Sequence, residues 1–74
     1  MKMQWENGFE IRVRLEHGAA VISANREGLL SLSHQLAVLA QAAPGSHIHY
    51  DAGNSLEEGS DELIVEKLEK TQES

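Results

Sequence analysis

The chain has 74 residues, enough for one small core and no second domain. Six Lys and Arg against twelve Asp and Glu give a formal net charge of −6, which excludes a generic binder of nucleic-acid backbones, whose affinity comes from cations displacing counterions. The absence of cysteine excludes disulfide staples, Cys-based zinc and iron–sulfur sites and thiol nucleophiles.

Met1 to Gly8 carries no apolar run, so no export signal is expected. Trp5, in a polar context, reads as a lid on the core. From Phe9 to Glu16 the residues alternate: Phe9, Ile11, Val13 and Leu15 on one face, Glu10, Arg12, Arg14 and Glu16 on the other. Period two over this length predicts a half-buried strand. His17-Gly18 supplies a turn, and Ala19 to Ala24 returns as the second strand of a hairpin.

Asn25 suits a helix N-cap, with Glu27 in the first turn. The helix is predicted from about Arg26 to about Ala42. Leu29, Leu32, Leu36, Leu39 and Ala43 mark its buried stripe, widened by Leu30 and Ala40. Ser31, Ser33, His34, Gln35 and Gln41 are expected off that stripe. Gly28 costs helix stability but permits close backbone packing. Pro44-Gly45 ends the helix.

Ser46 to Asp51 is the third predicted strand, with Ile48 and Tyr50 on one face and His47, His49 and Asp51 on the other. Ala52 to Ser60 reads as a loop tacked down by Leu56. Leu63 to Leu68 is the fourth strand, favoured by adjacent Ile64 and Val65. Leu63 and Val65 share one of its faces. Glu69 to Ser74 is a polar tail. The expected architecture is α+β, in the order ββαββ: a single domain over 1–74 with its core at about 9–68. It has one four-stranded, mainly antiparallel sheet and the helix across one face.

Charge is unevenly distributed along the chain. Glu6, Glu10, Glu16 and Glu27 balance Lys2, Arg12, Arg14 and Arg26, whereas beyond residue 50 eight acids face only Lys67 and Lys70. The densest run is Leu56-Glu57-Glu58-Gly59-Ser60-Asp61-Glu62. Ser60 and Asp61 suit a cap whose side chains bond local amides at the start of the last strand. The carboxylates of Asp51, Glu57, Glu58, Asp61 and Glu62 also suit a surface that steers and binds a basic protein partner. Arg12 and Arg14 are expected to pair across strands with Glu66 or Asp51.

The His47-x-His49-x-Asp51 pattern places two imidazoles and a carboxylate on one strand face, a spacing that suits a zinc, copper, nickel or iron ion. The alternative is an ordinary polar strand face turned to solvent. No nucleophile elbow, phosphate loop or calcium-loop pattern is present, so neither enzymatic activity nor a cofactor is expected. Two sheet edges and one open face also suit a homodimer.

Three elements in this order carry a resemblance: the Gly28-Leu29-x-x-Leu32 helix opening, the His47-x-His49-x-Asp51 strand, and Gly59-Ser60-x-Glu62-Leu63. Over about residues 9–68 the chain resembles the small immunity proteins of bacterial polymorphic toxin systems grouped as immunity protein family 32. The resemblance implies an α+β cytosolic protein that binds and neutralises a cognate toxin, with no catalytic site.

Overall fold

The computed structural model describes residues 4–69, so the tail expected from Glu69 onward falls, from residue 70, outside the described residues. Strands β1 (Ile11–Glu16) and β2 (Ala19–Ala24) form an antiparallel hairpin. His17 and Gly18 join them with φ of 49° and 83°. Two successive positive φ values match the right-handed twist of the flanking strands. Helix α1 (Arg26–Gln41) follows, then β3 (His47–Tyr50) and β4 (Leu63–Glu66), paired antiparallel. The α+β class and the ββαββ order are as expected.

The sheet is not one piece. It divides into two two-stranded sheets, β1–β2 and β3–β4. The reason lies at the free edge of β1. Glu57 donates its backbone N–H to Ile11 O (2.9 Å) and Asp61 donates to Val13 O (2.9 Å). Between these two bonds the chain makes a turn, Ser60 N–H to Glu57 O (3.1 Å), with Gly59 at φ 87°. Side-chain oxygens then replace carbonyls: Val13 N–H donates to Ser60 Oγ (3.2 Å) and Leu15 N–H to Asp61 Oδ2 (3.0 Å). The edge is satisfied without a regular ladder, which answers the need of buried backbone groups for partners.

Ile11, Val13, Leu32, Leu39, Ile48, Tyr50 and Leu56 form the buried core, flanked by Phe9, Ala24, Ala42, Leu63 and Val65. Leu56 pins the loop as expected. Trp5 stacks on Phe9 (centroids 4.4 Å) and meets Tyr50 edge-on (6.3 Å), covering one side of this core.

The helix sits rotated from its expected orientation. Its buried residues are Gly28, Ser31, Leu32, Gln35 and Leu39, while Leu29 and Leu36 are 55% and 42% exposed. Two features fix this setting. A Cβ at residue 28 would press into Glu10 O and stand 2.9 Å from Ile11 Cγ1, so glycine lets the helix meet β1 closely. The segment before β1, together with Tyr50 of β3, satisfies the polar groups that are buried. Gln35 Nε2 donates to Gln4 O (2.8 Å), Tyr50 Oη donates to Gln35 Oε1 (2.8 Å), and Glu6 N–H donates to Ser31 Oγ (2.8 Å). Buried polar groups are tolerated when bonded in this way.

Both helix ends are capped. Asn25 Oδ1 accepts from Gly28 N–H (2.8 Å), as expected of an N-cap, and also from Glu10 N–H (3.0 Å). Asn25 Nδ2 donates to Gly8 O (2.9 Å), so one side chain ties the start of the helix to the segment before β1 at two points. At the other end Lys67 Nζ donates to Ala40 O and Ala42 O, both at 2.8 Å, favourably placed at the negative end of the helix.

Candidate partner-binding surface

The loop between β3 and β4 is built in two parts. Asp51 starts the first: Asn54, Ser55 and Leu56 N–H groups converge on its carbonyl, and its Oδ1 accepts from Gly53 N–H (2.9 Å) and Asn54 N–H (3.1 Å). Leu56 then enters the core, and Glu57 to Asp61 dock on β1 as described above. Arg12 Nη1 reaches over to Glu58 O (3.2 Å). The loop is thereby fixed at both ends and along its length.

This arrangement separates the acidic residues into two kinds. Asp51 and Asp61 have carboxylates engaged by backbone N–H groups of the fold itself. Ser60 and Asp61 do cap, but they cap β1 across the molecule and not the local amides expected of them. Glu58 and Glu62 are exposed and Glu57 is half-buried. Glu62 lies 3.2 Å from His49 Nδ1. The expected pairs of Arg12 and Arg14 with Glu66 or Asp51 do not form. Arg12 takes the Glu58 carbonyl, and Arg14 Nε lies 3.1 Å from Glu16 within its own strand, outside hydrogen-bond geometry.

His47 and His49 stand side by side on the outward face of β3, ring centroids 4.8 Å apart. Across the strand pair they face Glu66 and Ile64. Asp51 does not complete a three-donor set with them, because its carboxylate turns into its own loop. Among the described residues, no three His, Cys, Asp or Glu groups come together in a way that would hold a metal ion.

An open depression of about 430 Å³ lies beside the start of β1, lined by Glu10, Ile11, Arg12, Ser23, Ala24, Asn25 and Glu57. Its mostly polar, unroofed wall lacks the apolar enclosure typical of a small-molecule site. Among the described residues, no helix is long and apolar enough to cross a membrane.

The acidic loop is held by backbone and side-chain hydrogen bonds on a small scaffold, with Glu58 and Glu62 exposed. Among known families, the model of the family described as immunity protein 32 matches residues 20–68. The chain belongs to this family. The match takes in β2, α1, β3, the acidic loop and β4, and begins after β1, so it is shorter than the span of about 9–68 expected from the motifs. No curated protein and no solved structure matches the chain. Three contributors escaped the sequence reading: the tether made by Asn25, the Gln35–Tyr50 pair, and the use of Ser60 and Asp61 to close β1. Only Asn25 carried a readable signal, its position before the helix.

Proposed function

We propose that this immunity-family protein acts without catalysis, in the cytoplasm, by binding a cognate toxin and masking its working surface. Membership of the immunity protein 32 family is the observation that carries this reading. The contact surface in the proposal is the acidic loop. Asp51 and Asp61 shape it, and Glu57, Glu58 and Glu62 present charge to the partner. Carboxylates clustered on a pre-ordered loop raise association rates with a basic partner and lose little entropy on binding.

A metal-binding reading has less support. It has two adjacent imidazoles and one nearby glutamate, and Asp51 is committed elsewhere.

The test is co-expression with a toxin domain encoded next to this chain's gene, followed by stopped-flow association of the purified pair. A complex should form and toxin activity should disappear. The association rate should fall at least about tenfold between low salt and roughly 0.5 M salt. A triple change of Glu57, Glu58 and Glu62 to Gln should reproduce that fall at low salt. Unchanged toxin activity in the complex would refute toxin neutralisation. A salt-independent rate would refute the acidic loop as its contact surface.

A further inference from the structure

We propose that α1 carries a self-complementary face through which two copies of this chain pair antiparallel. From Gly28 through Tyr50 the chain holds no Asp, Glu, Lys or Arg. Much of that stretch is surface: Leu29, Ser33, Leu36, Ala37 and Ala40 are all exposed on α1. An exposed helix in a chain of net charge −6 would ordinarily carry charged side chains on its outer face. Depletion of charge combined with exposed large apolar side chains marks an interface centre.

The spacing names the partner. Leu29, Ser33, Leu36 and Ala40 are separated by four, three and four residues, one seam along a helix. That spacing is palindromic. When a second copy of α1 lies antiparallel across a two-fold axis, Leu29 falls opposite the partner's Ala40. Leu36 then falls opposite the partner's Ser33. Each leucine meets a small side chain, which lets the helices approach and interlock. A parallel pairing instead sets leucine on leucine and leaves gaps between the small residues.

Ser33 suits a buried place in such a seam, because its hydroxyl already donates to Leu30 O (2.9 Å) within its own helix. Electrostatics point to the same partner. Two copies of net charge −6 repel, and the seam from Leu29 to Ala40, with Arg26 at its start and Glu6 beside His34 at its edge but no Asp, Glu, Lys or Arg within it, is where they meet with the least repulsion. A basic partner would be drawn to the carboxylates of the loop. The seam runs only about 16 Å along the axis, so the dimer is weak and depends on concentration. This inference does not rest on the toxin-binding reading.

Sedimentation velocity on the full chain, from about 10 μM to about 1 mM, tests it. The natural chain should shift from monomer to dimer across that range. Leu36→Glu should raise the dissociation constant roughly 100-fold or more by placing an unpaired carboxylate in the seam. Its helical circular dichroism should be unchanged; if that signal is lost, Ala40→Glu makes the same test at another exposed position. Ser33→Leu alone should weaken the dimer by setting leucine against leucine. Ser33→Leu combined with Leu36→Ser should restore it, because large and small side chains exchange places across the axis. A natural chain that stays monomeric throughout overturns the proposal. So does a dimer indifferent to the carboxylate, or a double variant no tighter than its single parents.

Discussion

The two flanks of α1 make an instructive pair. On one, Gly28, Ser31 and Gln35 are buried against β1 and the segment that precedes it. On the other, Leu29 and Leu36 stand largely in solvent. Hydrophobicity alone would reverse the two. The polar flank goes inward because every group it buries has a partner and because glycine admits the strand. A leucine in place of Gln35 would gain apolar burial but strand Tyr50 Oη and Gln4 O without partners. Leaving such groups unpaired typically costs about 1–3 kcal/mol each, comparable with the gain from burying a whole leucine side chain. Specific bonds and one close approach therefore decide which way the helix faces.

The sharpest break of this contrast is Gln35→Ala. It removes both bonds of a fully buried side chain and leaves a cavity. We expect a loss of about 3 kcal/mol, read as a drop of more than ~10 °C in Tm for a domain of this size. Gly28→Ala comes next. Better helix propensity favours it by about 1 kcal/mol, yet its Cβ must push Glu10 O and Ile11 away. We expect a net loss of about 2 kcal/mol by chemical denaturation. A stabilised Gly28→Ala variant would mean that the helix and β1 are less closely packed than described.

Tyr50 sharpens the contrast through pH. Burial raises its phenol pKa above the ordinary 10.0. The fold thus favours the neutral phenol, which donates to Gln35 Oε1. Its contribution is complete below pH 10 and is lost as pH rises through the folded-state value. Alkaline unfolding followed by tyrosine absorbance should show this loss, and Tyr50→Phe should abolish it. The same change should cost about 1–2 kcal/mol at neutral pH, because Gln35 Oε1 keeps its burial and loses its donor.

Much of this fold was legible in the sequence, and the parts that were not share a cause. Period-two alternation located β1, and Asn25 and Pro44 bracketed α1, because each of these signals is local. The rotation of α1 was illegible because it depends on Gln4, Glu6 and Tyr50, which lie far from residues 28–39 in sequence. The division of the sheet was illegible for a similar reason. Ser60 and Asp61 are typical turn residues, and nothing nearby says that their oxygens serve Val13 and Leu15 instead of their own loop. At the candidate surface, the acidic run was plain. Which carboxylates support the fold and which face outward is a tertiary fact.

The smallest expected effects fall on the leucine flank, where pattern counting places the largest. Leu29→Ala and Leu36→Ala should each cost about 1 kcal/mol or less in dilute solution, since roughly half of each side chain is already in water. Leu32→Ala and Leu39→Ala, at 8% and 4% exposure, should cost about 2–4 kcal/mol. The four variants measured together by urea denaturation read the helix's orientation directly. A helix turned as described gives a high–low alternation in which 32 and 39 outweigh 29 and 36. Equal losses at all four leucines would mean that the stripe counted from sequence is the one that is buried, and the role of Gln35 would fall with it. Repeating Leu36→Ala at high protein concentration adds a second comparison. Its cost should grow there, because the leucine then loses a partner in the second copy as well as its partial burial in its own chain.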